Sequence, residues 1–155
     1  MIDQNKYAGY FEIVTRDKNS GTIRSEIIPN RIMDAALNAM ADILDGVAPD
    51  IEIKYLAVGT GNTPVTDTDA TLDTEIFRTQ PTVDPARVST GVIETTFMLL
   101  DSEAVGDLKE IGIFAGSAAN SSVDTGTLIA RVLWTKTKSS AEEISIKRID
   151  KVGRV

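Results

Sequence analysis

IEIKYLAVGTGNTPVTDTDATLDTEIFR, residues 51–78, is the stretch around which the chain is organised. Ile51 to Val58 is dense in branched and aromatic side chains and predicts a strand. Gly59-Thr60-Gly61 breaks it, because two glycines one residue apart accept backbone angles that other residues avoid. Asn62-Thr63-Pro64 and a polar, acidic run from Thr66 to Asp73 follow, and strand character returns at Glu75-Ile76-Phe77-Arg78. The stretch reads as a strand, a long exposed loop and a second strand. Nothing in it is chemically reactive, which argues against an enzyme.

Upstream, Tyr10–Thr15 and Thr22–Ile28 flank DKNSG and predict a hairpin, since Asn and Gly accept the positive φ such a turn needs. Ile23, Ser25 and Ile27 alternate with Arg24 and Glu26, which sets the isoleucines on the inner face. Residues 1–8 carry little pattern and read as an N-terminal arm. One helix is predicted, near residues 31–45. Asn30 is its N-cap, Ile32, Ala35, Ala36, Ala39, Met40 and Ile43 are its apolar stripe, and Gly46 and Pro49 stop it.

Downstream, Asp84-Pro85 marks a turn, and Arg87–Leu100 reads as one long strand with Ile93, Thr95, Phe97 and Leu99 inward. Leu108–Ala115 is a short strand with Ile111, Ile113 and Ala115 on one face. GSAANSSVDTG, residues 116–126, is a loop tip, and TLIARVLWT, residues 127–135, a central strand with Trp134 in the core. Glu142–Ile149 alternates with Ile144 and Ile146 inward, and residues 151–155 are a polar tail. The fold class that results is mainly β: a jelly-roll-like antiparallel sandwich of about eight strands with one helix, in a single domain over residues 9–150.

The chain has 155 residues, no cysteine and no histidine. Its length is enough to bury about two-thirds of the unfolded surface. Disulfides, thiolate chemistry and imidazole catalysis are excluded together. The first residues carry no basic-then-apolar pattern, so no secretory leader is expected, and no segment is long enough to cross a membrane as a helix. A net charge of −7 argues against a nucleic-acid partner. The charge is uneven: residues 45–75 hold seven acidic groups against Lys54 alone, and residues 131–155 hold seven basic groups against three acidic ones. Two readings stay open, solvated loops with a polar tail, or complementary surfaces between copies.

Asp67, Asp69, Thr71, Asp73 and Glu75 fall at every second position, a spacing that could wrap a calcium ion. Counted from Asp67, however, the sixth and twelfth positions are Leu72 and Arg78 rather than the required Gly and Glu. Gly59-Thr60-Gly61 resembles half a phosphate loop but lacks the Gly-Lys-Ser/Thr ending. Glu142/Glu143 and Glu52/Glu75 are the carboxylate pairs a glycosidase would require, without an evident aromatic platform beside them. No cofactor or metal is expected.

YLAVGTG at 55–61 with its Thr-Pro, Asp-Thr, Leu and EIFR sequel, KEIGIFAG at 109–116, GTLIAR at 126–131 and PNRIM at 29–33 occur in an order that resembles small structural proteins of tailed bacteriophages and prophages, across roughly residues 21–149. The resemblance implies a virion component, made in the bacterial host cytoplasm, without enzymatic activity. Its place would be the tail, baseplate or fibre attachment, or alternatively the capsid surface as a decoration protein. A module that binds a carbohydrate or host receptor through loops is the reading from another class. The implied partners are other virion proteins and copies of itself. The expected contacts are Tyr7 and Tyr10 near the arm, Asp67, Asp69 and Asp73 in the acidic loop, and Lys147, Arg148, Lys151 and Arg154 in the basic C-terminal segment.

Overall fold

A computed structural model describes residues 5–154. The elements are β1 (Asn5–Asp17), β2 (Ile23–Ile32), α1 (Asp34–Leu44), β3 (Ile53–Gly59), β4 (Glu75–Thr79), β5 (Val83–Ser89), β6 (Val92–Leu99), β7 (Gly106–Ala115), β8 (Thr127–Lys138) and β9 (Glu142–Arg154). All nine strands join in one antiparallel sheet, in the order β4-β3-β7-β8-β2-β1-β9-β6-β5, curled into a half-barrel. The fold is mainly β with one short helix, as expected. The strands form one continuous sheet because β2 serves both halves: Gly9–Arg16 pair with its first part, and its Arg31 and Ile32 pair with Arg131 and Ala130 of β8.

The concave side holds the core. Phe11 and Ile13 of β1, Phe97 and Leu99 of β6, and Ile144 and Ile146 of β9 pack in one cluster with Leu56, Val58, Ile111, Ile113 and Trp134 from the other half. The alternation read for β6, β7 and β9 holds at these positions. It fails for the start of β2. Register pairs Phe11 with Ile28 and Ile13 with Glu26, so Ile28 and Glu26 share the inner face. Ile23 and Ile27 therefore face outward and are 64% and 68% exposed.

Three boundaries differ from expectation. The long strand expected over residues 87–100 is a hairpin, β5–β6, turning at Gly91. Gly91 has φ +70°, and a Cβ there would lie 2.0 Å from the Val152 carbonyl oxygen. Pro85 sits inside β5 rather than in a turn, which an edge strand tolerates. The helix starts at Asp34 rather than Arg31, because Pro29–Ile32 extend β2. Asn30 is thus a strand residue. The Asp34 N–H donates instead to the Asp67 carbonyl at 2.8 Å.

Only small side chains of α1, Ala36 and Ala39, are buried, while Leu37, Ile43 and Leu44 are 45%, 56% and 91% exposed. Residues 5–8 and 151–154, read as parts of an arm and a tail, pair with each other from Asn5–Arg154 to Ala8–Lys151. The remainder of the expected arm, residues 1–4, and residue 155 lie outside the described residues.

Candidate functional site

The long loop between β3 and β4 is a packed strap. On the convex side of the sheet, one transverse row reads Arg78, Ala57, Gly112, Arg131, Arg31 across β4, β3, β7, β8 and β2. Three arginines in one row demand counter-charges, and the acidic run supplies them. Asp67 pairs with Arg31, Asp69 with Arg131 at 2.8 Å, and Glu75 with Arg78. Among the described residues no group of three or more carboxylates is arranged to hold a metal ion.

Glu110 anchors the strap from below. It is fully buried on β7, and its Oε1 accepts from the N–H groups of Gly61 (3.2 Å) and Thr74 (2.8 Å). Its Oε2 accepts from the Asp73 N–H (3.0 Å) and from Arg131 Nε (2.9 Å). Arg131 also donates to the Thr63 carbonyl at 3.2 Å. Both ends of the strap thus converge on one ion pair. Burying that pair is tolerable because its polar atoms are well supplied with partners. Leu72 seals the remaining gap, packing with Met33, Ala57, Phe114 and Leu128 in a second apolar cluster.

The two glycines of the opening stretch are needed for close approach rather than for unusual angles. A Cβ on Gly59 would lie 2.4 Å from the Thr74 carbonyl oxygen and 2.5 Å from Glu110 Oε1. One on Gly61 would lie 2.2 Å from Asp73 Cβ. Neither glycine has a positive φ.

The loop at residues 116–126 is held in the same manner. Arg78 stacks over Phe114, 4.5 Å from the ring centroid, and its Nη1 donates to the carbonyls of Asn120 (2.9 Å) and Thr125 (3.0 Å). Glu75 accepts from the Asp124 N–H at 3.0 Å. Asp69 feels opposing influences. Burial raises its pKa, but hydrogen bonds from Thr66 and Arg131 outweigh burial and hold the carboxyl below the ordinary carboxylate value.

A third centre lies on the concave side, where β1, β9 and β6 run past α1. Arg148 and Asp150 occupy inward positions of β9, opposite Phe11 and Gly9. Asp150 Oδ1 accepts from Arg148 Nε at 3.0 Å and from the Tyr7 hydroxyl at 2.7 Å. The guanidinium lies where a Gly9 side chain would be, 2.2 Å from an ideal Cβ. Burial, with the Asp150 charge, drives the Tyr7 phenol far above its ordinary pKa. Among the described residues, the buried side-chain polar atoms without a partner collect here: Asn30 Nδ2 and Oδ1, Thr95 Oγ1, Arg148 Nη1 and Asp150 Oδ2. Asn30, Gly9, Asp150 and Ile93 form one transverse row, and Arg148 and Thr95 are paired in the next. Tyr7 and Asp150 also line a groove of about 350 Å³ beside α1, otherwise walled mainly by apolar residues including Met40, Ile43, Ile51 and Ile93.

The expected contact residues therefore separate. Asp67 and Asp69 are engaged by arginines of the same chain, and Asp73 contributes its backbone N–H to Glu110. Tyr7 and Arg148 belong to the concave centre. Lys147 lies 3.6 Å from Glu94 on the outer face, and Lys151 lies over the Tyr10 ring at 5.5 Å. Arg154 pairs through its backbone with Asn5. Much of the basic C-terminal charge is consumed internally: besides Arg131 and Arg148, Lys136 pairs with Glu142, and buried Lys138 donates to the Leu100 and Asp101 carbonyls. The carboxylates considered for acid–base work face cations too, Glu143 with Lys18 and Glu52 with Lys54. Sequence reasoning missed Glu110 and Arg78, and did not see that Arg131 is buried. Their signal is a charged side chain inside an apolar strand run, as in TLIARVLW.

Fold and site together define an antiparallel, mainly β domain whose longest loop is clamped by buried ion pairs and whose single helix leaves apolar surface uncovered. No protein-family model, curated protein or solved structure matches the chain.

Proposed function

We propose that the protein is a non-enzymatic structural component of a tailed-bacteriophage virion, in the tail, baseplate or fibre-attachment region, assembling through symmetric subunit contacts. The virion assignment rests on the sequence resemblance, and the observation that supports assembly is the uncovered apolar surface of α1 and the segment after it. Leu37, Ile43, Leu44 and Val47 are 45%, 56%, 91% and 52% exposed, beside the groove at Met40 and Ile51. Contiguous apolar surface of this kind is uncommon on monomers and marks contact sites. The clamped loops suit the same role, since a part of a particle benefits from a stiff body. A finer reading of the fold goes with the proposal: a jelly-roll-like sandwich whose halves share β2.

Capsid decoration is the neighbouring alternative. A glycan- or receptor-binding module gains less support, because Trp134 is 3% exposed and donates to Glu26 at 2.8 Å. The test is an antibody against the protein, applied to gradient-purified particles from an induced culture of the source strain. The protein should co-sediment with particles at a fixed ratio to the major structural proteins. Its presence in the lysate together with its absence from the particles overturns the proposal.

A further inference from the structure

We infer that the concave groove beside α1 is a binding site for a small neutral amphiphile, whose apolar body lies in the groove and whose hydroxyl head donates a hydrogen bond to Asp150. The inference stands apart from the virion reading. The groove holds about 350 Å³, within the range of roughly 300–1,000 Å³ typical of small-molecule sites. Met40 and Ile43 of α1, Ile51, Ile93 of β6 and Ile129 of β8 supply apolar walls. Only Tyr7, Glu52 and Asp150 bring oxygen-bearing side chains to the lining. Glu52 is 65% exposed at its side chain and is engaged by Lys54 at 2.7 Å, which leaves Tyr7 and Asp150 as the polar end.

Asp150 selects the occupant. It is 4% exposed, and its Oδ1 already accepts from the Tyr7 hydroxyl at 2.7 Å and from Arg148 Nε at 3.0 Å. Its Oδ2 has no partner among the described residues. A carboxylate held against a guanidinium is ionised and only accepts, so an occupant that satisfies Oδ2 must donate. A buried acceptor left without a donor costs more when it is charged.

Charge narrows the choice of donor. Arg148 already neutralises Asp150, so an ammonium would bring an unbalanced charge to a buried site. A carboxylate would set a second anion against Oδ2. A neutral hydroxyl does neither. Exposure narrows the shape. Ile43 and Ile93 are 56% and 39% exposed, so a flat protein surface resting on them would cover the rim without reaching the carboxylate. A slim head on an alkyl body reaches it. Asn30, Thr95 and Arg148 do not line the groove, and buried polar atoms of that kind are commonly met by ordered water.

The test is an amide NMR titration of the whole protein with n-octanol, and separately with octyl methyl ether, octanoate and octylammonium. The alcohol is expected to shift the amides of Tyr7, Ile51, Ile93 and Asp150 saturably. The ether keeps the chain and lacks the donor, so it should bind at least about 10-fold more weakly, the effect of one lost charge-assisted hydrogen bond. Both ions should also bind more weakly than the alcohol. Ile43→Asp, at an exposed helix position, should abolish saturable binding with the circular dichroism unchanged. Asp150→Asn offers an amide to which alcohol and ether accept alike, so the gap between them should close; should that variant not fold, the wild-type comparison and Ile43→Asp decide. An alcohol that shifts no groove amide up to its solubility limit overturns the inference. So does a shift that never saturates and spreads over exposed Leu37 and Leu44, or an ether or ion that binds as tightly as the alcohol.

Discussion

Glu110→Gln is the sharpest perturbation of the strap. The side chain keeps its size, so packing is preserved. An amide oxygen at the Oε1 position still accepts from Gly61 and Thr74. The amide nitrogen at the Oε2 position then faces two donors, the Asp73 N–H and Arg131 Nε. Two charge-assisted hydrogen bonds are lost, each contributing about 1.5–3 kcal/mol net. The sum, about 3–6 kcal/mol, brackets the ~3–5 kcal/mol loss typical when one partner of a buried ion pair is removed. Asp69 still faces Arg131 at 2.8 Å, which places the expectation near the lower end. A loss of about 3 kcal/mol lowers the melting temperature of a chain this size by roughly 6–12 °C. Urea unfolding followed by circular dichroism gives the free energy, and amide hydrogen exchange at Gly61, Asp73 and Thr74 locates it. Arg131→Met on top of Glu110→Gln should be less damaging than the two single losses summed. A loss under about 1 kcal/mol, with exchange at the three amides unchanged, would refute the claim that Glu110 anchors the strap.

Two further outcomes follow from the same geometry. Gly61→Ala drives a methyl to within 2.2 Å of Asp73 Cβ, so it should destabilise by about 1–3 kcal/mol although φ at this glycine is ordinary; a neutral effect in urea unfolding would show that the strap ends separate easily. Tyr7 has a pKa raised mainly by burial, so its contribution to stability is complete below the unfolded phenol value of about 10 and is lost as pH rises above it. Phenolate absorbance should therefore show a late alkaline phase that disappears in Tyr7→Phe, and persistence of that phase in the variant would assign it elsewhere.

Much of the concave core was legible, because inward residues of a strand recur every second position and apolar ones mark the face. Phe97, Leu99, Ile111, Ile113, Ile144 and Ile146 are inside for this reason. Alternation does not say which of two sparse sets is inward, and for β2 the deciding fact is register: Phe11 and Ile13 oppose Ile28 and Glu26. The helix start was misplaced because Asn30 is a good cap in isolation, while pairing of Arg31 and Ile32 with β8 keeps the segment extended. The strap is exposed along most of its length, as its acidic, Thr-rich sequence predicts, but its anchors are not legible there. Its partners are remote in sequence, Arg31, Glu110 and Arg131, and only the sheet brings them into reach.

The charge split of the sequence offered two readings, solvated ends or complementary surfaces between copies. Part of it has a different physical origin. Arg131 and Arg78 are nearly excluded from water, and a buried guanidinium without a counter-charge is strongly destabilising. The acids opposite them are therefore requirements of the fold. The charges outside those pairs include Asp42 and Asp45 at the end of α1, and Glu12, Arg16, Lys147 and Lys151 on the outer face, with Lys147 3.6 Å from Glu94 and Lys151 over the Tyr10 ring. In the acidic strap, first in line for contact by its composition, Asp67, Asp69 and Glu75 are already paired with arginines of the same chain. Exposed apolar side chains and charge without an ion-pair partner among the described residues coincide at the end of α1, where Ile43, Leu44 and Val47 stand beside Asp42 and Asp45.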